Sequence, residues 1–479
     1  MKTFPTGLRV LVLAALLAAC GGGGGGSPAG TPAPTPAAPA MSFEKTVIPL
    51  SPIAGDFAVA DFDGKNGPDI AVMRGVSGDV EIFLNRGDGT FEFSSSLPPA
   101  CAASGGVSLF AGQFSADTNI DLLIVCASLN EGFQRYLGFG DGSFANVPDT
   151  VTVPLPVGPF FNLLDTIFGG GGQLSGRVQL GAFGGGGQAL TYVEWIPPSQ
   201  DNYILCFFRV NELVADFDAG GAYLPLCSNS FNIPGPVTFD PVTGDPLPSD
   251  PVTVFDEIPI SSSYVLATPP SGSPENAAFT LPFAPDSNFP LAGDVRVVRY
   301  NPGCSLAPSY VACFSVEHYL YPHPLAEGVA IQAAGDFNHD GVPEIVAAGD
   351  YSFAVFSVEP SQEIQPGVHL IANPSFVATD PPLGQPVFLT VADFDGDGNL
   401  DVAVLSENNF GVGTIQVFRG NGDGTFGPAQ NFPTDYRSFK FAVADLNGDG
   451  RPDLVNLNFV NFTGIGPQSF LTIHLNTTP

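Results

Sequence analysis

The stretch Asp393-Phe394-Asp395-Gly396-Asp397-Gly398-Asn399-Leu400-Asp401 gathers four carboxylates around two glycines, and it recurs along the chain. Close copies begin at Asp445 and Asp336, and a weaker one at Asp61. Two unit charges about 4 Å apart repel by roughly 4 kcal/mol at an effective dielectric of about 20, so loops of this kind call for a hard cation among their side chains. A single hydrophobic core stops growing at about 250–300 residues. A chain of 479 residues therefore holds either several domains or a repeat array that closes on itself, and the internal repetition favours the array.

Aligned on the acidic loop, each good copy has the same parts: an apolar strand, the loop, a second strand, a third strand, and a Gly-Asp-Gly turn ending in phenylalanine. One unit runs from Val387 through Asp393 to Asp401, continues with strands over 402–405 and 414–418, and ends at Asn421-Gly422-Asp423-Gly424-Thr425-Phe426. The first unit runs from Asp61 to Asn85-Arg86-Gly87-Asp88-Gly89-Thr90-Phe91. A further turn, Gly140-Asp141-Gly142-Ser143-Phe144, follows a decayed loop at Gln113, Ser115, Asp117 and Asp121. The clear loops stand roughly 50 residues apart, the period of propeller blades. With 58 glycines, 47 prolines and only 13% charged residues, the composition suits many short strands joined by turns better than helices.

Calcium takes six to eight oxygens in flexible geometry, which matches acids at loop positions one, three, five and nine with a backbone carbonyl at seven. The complete sets are Asp393, Asp395, Asp397, Asp401 and Asp445, Asn447, Asp449, Asp453; a third set is Asp336, Asn338, Asp340, Glu344. Asn399, Arg451 and Val342 would supply the carbonyls. The first loop keeps Asp61, Asp63 and Asp69 but has Lys65 at the fifth place, where an ammonium would replace the ion or prevent its binding. An EF-hand would need a glutamate at position twelve; the residues there are Val404, Asn456 and Ala347. A fully ligated site leaves no open position for an activated water, so two to four structural Ca²⁺ ions are expected. Solvated Asp-Gly turns would explain poorly why the acids persist at alternating positions only.

These motifs resemble FG-GAP/VCBS-type repeats, similar to those of the integrin alpha-subunit head and of many bacterial surface proteins. The resemblance covers about residues 55–145 and 328–476. Between them only eroded echoes stand, at Gly181-Ala182-Phe183-Gly184 and at Val214-Ala215-Asp216-Phe217-Asp218. The resemblance implies an all-β fold, a β-propeller usually of seven blades with four antiparallel strands each. The last repeat has a third strand over 470–475 and begins its turn at Asn476, but no fourth strand follows. Ser42-Phe43 matches the end of the turn and 44–50 can follow as a strand, so the two chain ends are expected to share one blade and leave no open edge. Residues 233–289 read as an irregular insertion in a propeller spanning 41–479.

Residues 1–19 read as a leader: Lys2 and Arg9 precede an apolar run over 10–19 that is too short to span a bilayer. Leu17-Ala18-Ala19-Cys20 looks like a bacterial lipobox. That resemblance makes Cys20 the lipidated first residue of the mature chain. The following Gly21, in place of an aspartate, fits export to the outer membrane, with the domain periplasmic or surface-exposed. The Gly-rich and Pro/Ala-rich stretch over 20–40 is expected to act as a stalk. The other six cysteines fall into sequence-near couples, Cys101 with Cys126, Cys206 with Cys227, and Cys304 with Cys313. An oxidising compartment suits three disulfides, although fifteen pairings exist in principle.

A net charge of −32 would repel polyanions, which excludes nucleic acid as a partner class. Arg86-Gly87-Asp88 spells a known adhesion tripeptide, yet it fills a variable slot of the turn. Gly422, Gly424 and Gly427 have G-x-G-x-x-G spacing without the helix a dinucleotide site requires. His318 and His323 flank Pro322 and form no H-E-x-x-H motif. The sequence thus points to a lipid-anchored, calcium-stabilised envelope propeller that binds or scaffolds an unidentified protein or carbohydrate. The rival readings are an envelope hydrolase or lyase acting on carbohydrate or phosphoester from the propeller face, with Glu317 and the two histidines as its candidate groups, and a purely architectural envelope protein.

Overall fold

The described residues of the computed structural model lie within 40–151, 177–321 and 331–479, the middle stretch mainly at its strands. The 1–19 leader, Cys20, the stalk to residue 39, Cys304, Cys313 and His323 lie outside them. Ala40–Pro479 forms one compact unit.

Strand β1 (Phe43–Leu50) precedes a first sheet of β2 (Ala54–Ala60), β3 (Asp69–Arg74), β4 (Val80–Asn85) and β5 (Phe91–Leu97). The second sheet holds β6 (Gly106–Gly112), β7 (Asp121–Cys126), β8 (Phe133–Tyr136) and β9 (Asp149–Val151). The third holds β10 (Arg177–Phe183), β11 (Gly187–Trp195), β12 (Tyr203–Arg209) and β13 (Leu226–Ser228). A ribbon of β14 (Thr238–Phe239) and β15 (Pro246–Leu247) comes before the fourth sheet, β16 (Tyr264–Ala267), β17 (Glu275–Thr280), β18 (Gly293–Tyr300) and β19 (Phe314–Tyr321). The fifth consists of β20 (Ile331–Gly335), β21 (Glu344–Ala348) and β22 (Ser352–Phe356); its fourth strand, β25 (Ser375–Ala378), follows a hairpin of β23 (Ser361–Gln365) and β24 (Val368–Ile371). The sixth holds β26 (Gln385–Ala392), β27 (Asp401–Glu407), β28 (Gly413–Phe418) and β29 (Gln430–Pro433). The seventh combines β30 (Arg437–Ala444), β31 (Asp453–Phe462) and β32 (Gly466–Asn476) with β1 as its outer strand.

The first strand of each sheet packs on the first strand of the next: β2 on β6, β6 on β10, β10 on β16, β16 on β20, β20 on β26, β26 on β30, and β30 back on β2. The succession returns to its start, so the sheets are the seven blades of a β-propeller. Second strands are covered on both faces by neighbouring sheets, which is why β7 (DLLIVC) and β21 (EIVAA) are buried along their whole length and read as continuous apolar runs. The outer strands β1 and β5 face solvent for most of their length and carry charges and serines instead.

The blades are locked by the second residue of each acidic loop. Phe62 stacks edge-on against Phe144 of the next blade's turn at 5.3 Å, and Phe337 against Phe426 at 5.4 Å. Their carbonyls accept the N–H of Gly142 (3.0 Å) and Gly424 (3.1 Å) from the same turns. At Phe394 the ring partner is Phe43, at 6.4 Å, and the carbonyl accepts Nδ2 of Asn476 at 2.6 Å. Phe43 thus takes the place of a turn phenylalanine, as its sequence context implied. β1 then pairs antiparallel with β32 from Phe43↔Asn476 to Leu50↔Ser469, and Thr477 N–H donates to the Ser42 carbonyl at 2.8 Å.

The middle of the chain departs from the repeat. β24 pairs in parallel with β19, so the fifth blade donates a hairpin to the fourth and extends it to six strands. The stretch 233–289, read from sequence as irregular, carries β14 to β17, including the first strand of blade four. Of the two echoes, 181–184 begins at the end of β10, where an acidic loop belongs, whereas 214–218 falls between β12 and β13. There Phe217 packs under Arg135, whose Cζ stands 4.5 Å from the ring centroid. Cys101 and Cys126 are joined by a disulfide. Cys206 and Cys227 are direct register partners across β12 and β13.

Candidate metal centres

Each acidic loop joins the first and second strands of its blade and winds around its first carboxylate. Asp393 accepts the N–H groups of Gly396 (2.8 Å) and Asp397 (3.1 Å) on Oδ1 and of Gly398 (2.9 Å) on Oδ2. Asp445 holds Gly448, Asp449 and Gly450 in the same way, at 2.8, 3.1 and 2.8 Å. Asp336 holds Asp340 and Gly341 at 3.2 and 3.0 Å. The winding needs a left-handed residue at the sixth place, where Gly398 has φ +91°; a side chain there would be strained. The fifth-position acids Asp397, Asp449 and Asp340 then accept the N–H of Asn399, Arg451 and Val342 at 2.8, 2.9 and 2.8 Å.

The ninth-position acid starts the second strand and is fully buried at Asp69, Asp121, Asp401 and Asp453. Both of its oxygens accept backbone N–H groups. Asp401 takes Phe394 and Gly420, each at 2.8 Å. Asp453 takes Leu446 (2.8 Å) and Asn476 (2.6 Å), and Asp69 takes Phe62 (2.7 Å) and Asn85 (2.8 Å). This carboxylate therefore ties the loop to the turn that follows the third strand, a role that the spacing alone did not disclose. The signal was present in the decayed loop. Asp121 survives there after the first and third acids are gone, still bonded to Phe114 (3.0 Å) and Gly138 (2.9 Å). Glycine at the receiving turn permits a close approach: a Cβ on Gly420 would fall 2.1 Å from the Leu400 carbonyl oxygen.

Burial pushes Asp401 up to about 7, and Asp69 and Asp453 up to about 6, with the neighbouring loop carboxylates adding to the rise and the backbone donors opposing it. Glu344 and Asp395 are also raised, again mainly by burial. Acids held this far above their ordinary range are under electrostatic load that a cation would relieve.

Ligand oxygens of Asp393, Asp395 and Asp401 lie within 4.8 Å of one another, as do those of Asp61, Asp63 and Asp69. An all-oxygen set of this span fits calcium better than a softer metal. In the loops at Asp336 and Asp445 the third position is an asparagine. Asn338 Nδ2 donates to Asp340 Oδ2 (3.2 Å) and Glu344 Oε1 (2.7 Å), and Asn447 Nδ2 donates to Asp449 Oδ2 (3.2 Å). Lys65 Nζ lies 3.6 Å from Asp63 Oδ2, and Arg419 Nε 3.1 Å from Asp395 Oδ2. Neighbouring loops also meet: His339 Nε2 is 2.9 Å from Asn399 Oδ1.

The other motifs take structural places. Arg86 pairs with Glu92 at 3.0 Å and Asp88 accepts the N–H of Thr90, so the Arg-Gly-Asp tripeptide is part of a closed turn. Glu317 and His318 are successive residues of β19.

The FG-GAP-like repeat family model matches residues 61–124 and 375–455. Over those two stretches the β-propeller thus carries FG-GAP-like repeats. No curated protein matches it. Among solved structures, a crystal structure of a protein from Lactobacillus plantarum is similar at 13% identity, covering 80% of this chain and 85% of that one, with a TM-score of 0.38.

Proposed function

We propose that this chain is a calcium-stabilised propeller, tethered to the outer membrane through an acylated Cys20, whose loops bind or scaffold a protein or carbohydrate of the cell envelope. The observation that carries the calcium reading is the convergence of Asp393, Asp395 and Asp401 within 4.8 Å, around a buried acid raised to about 7. The ions have a structural role in this reading: each would bind the two inner strands of its blade together at the loop. The reading assigns no reaction to the protein. A propeller is a stiff frame for variable loops, and the departures from the repeat between blades three and five are where such loops would gather.

Thermal unfolding with and without chelator tests the central element. Addition of EGTA should lower the midpoint, and excess Ca²⁺ over Mg²⁺ should restore it, with half-recovery on the order of 0.1–1 mM as in extracellular modules. An unchanged midpoint, or equal rescue by Mg²⁺, would count against structural calcium.

A further inference from the structure

The loops differ at their third position, and every difference comes with its own partner. Where the residue is neutral, at Asn338 and Asn447, its amide donates to the fifth-position carboxylate. Where it is an aspartate, a cation of this chain lies against it: Lys65, itself the fifth residue of its loop, beside Asp63, and Arg419, from outside the loop, beside Asp395. Lys65 is two-thirds exposed, but Arg419 and Asp395 have side-chain exposures of only 14% and 5%, so this pair is held with little solvent to screen it.

Arg419 also stands out against its counterparts. It precedes Gly420, whose N–H donates to the ninth-position acid. The residues preceding the equivalent donors Asn85, Gly138 and Asn476 are Leu84, Leu137 and Leu475. Leu84 and Leu475 pack so closely on the next blade's turn that a Cβ on Gly142 would come 3.0 Å from the first, and one on Gly89 2.5 Å from the second. Blade six gives up this apolar seam contact for a cation aimed at the one loop with four aspartates.

We propose that Arg419 is a built-in counter-ion that sets the calcium affinity of the 393–401 loop by cancelling the charge of Asp395. The inference rests on the calcium reading above. With the guanidinium in place, four carboxylates present the net charge of the three-carboxylate loop at 336; in the loop at 445 the half-exposed Arg451 lies 3.9 Å from Asp449 Oδ2. The Arg419 cation steadies its loop before metal arrives, and it repels the metal on arrival, because one Asp395 carboxylate faces both.

Calcium titration calorimetry on the full chain tests this. Arg419→Leu, which copies the other blades, should tighten one site on the order of tenfold through the higher ligand charge, while lowering the melting midpoint in EGTA. Arg419→Lys should behave like wild type. The double variant D395N/R419L, which recreates the Asn447 and Leu475 arrangement, should return the affinity to near the wild-type value. Should Arg419→Leu fail to fold, Arg419→Gln carries the same expectation. Unchanged or weaker binding in the charge-removed variants, with wild-type binding intact, overturns the counter-ion role. A wild-type chain that takes up no calcium overturns the underlying reading and this inference with it, and that outcome is visible in the wild-type titration alone.

Discussion

Asp121 belongs to a loop that has lost its first and third acids, yet it keeps both backbone hydrogen bonds made by Asp69, Asp401 and Asp453. The ninth acid therefore has two loads to carry, the turn and the cation, and its titration separates them. In the metal-free protein its folded pKa stands above the ordinary value, at about 7 for Asp401 and about 6 for Asp69 and Asp453. A raised carboxyl binds more protons folded than unfolded, so its contribution to stability is fully present below the unfolded pKa of about 4 and is lost as pH rises through the folded one. In EGTA the unfolding free energy should accordingly decline between about pH 4 and pH 7. Saturating Ca²⁺ should flatten that slope, because a bound dication favours the ionised form. Denaturant melts at a series of pH values check both halves. A stability that rises with pH in chelator would show that the backbone donors outweigh burial at these acids.

At the scale of strands and turns, the disulfide between Cys101 and Cys126 ties the entry to β6 to the end of β7, across a sequence separation of 25. Closing a loop of that length constrains the unfolded chain by about 3–4 kcal/mol in the entropic account. Replacing both cysteines by alanine should cost that order of stability and leave the blade architecture intact, as read by denaturant melts beside circular dichroism. A double variant as stable as the wild type would mean that the bond contributes nothing beyond the packing of two buried side chains. This pairing and the acidic loops were legible because they are local: a few residues at fixed spacing determine each. The phenylalanines were legible for a related reason, since Phe62, Phe337 and Phe394 recur at one loop position and Phe144 and Phe426 at one turn position. Blades three and four were not, because the carboxylates that mark a loop are missing there and their strands read only as apolar runs. Nor could the parallel pairing of β24 with β19 be foreseen. That edge is chosen by what lies beside it in space, and nothing within 361–371 names its partner.

Across the whole molecule, all seven junctions between blades are crossed by the chain itself, the last of them from β1 to β2, whereas within the seventh blade the two chain ends are joined only by the pairing of β1 with β32. Closing so long a ring is not prohibitive. Loop-closure entropy grows by only about 0.6 kcal/mol per doubling of length, so a ring of roughly eight blade-lengths costs about 2 kcal/mol more than a single blade. The local contacts that must offset this are known: Phe43 against Phe394 (6.4 Å) and Phe432 (4.8 Å), the Ser42 carbonyl with Thr477, and the Met41 N–H on Gln430 Oε1 at 2.8 Å. Phe426 makes the equivalent seam contact from a blade whose four strands, β26 to β29, are consecutive in the chain. Phe43→Ala and Phe426→Ala should thus destabilise globally by comparable amounts, about 2–4 kcal/mol for a large aromatic truncated in a packed seam. Their local effects should differ. Native-state hydrogen exchange in the Phe43 variant should reveal an opening confined to β1 and β32, below the global unfolding free energy, because that blade can come apart without unfolding its neighbours. The Phe426 variant should show no such sub-global opening. If the amides of β1 and β32 in the Phe43 variant exchange only through global unfolding, the two chain ends are not the weakest junction of the ring, and closure must be sustained by the inner strands, where Lys440 Nζ of β30 meets Asp56 Oδ1 of β2 at 2.7 Å.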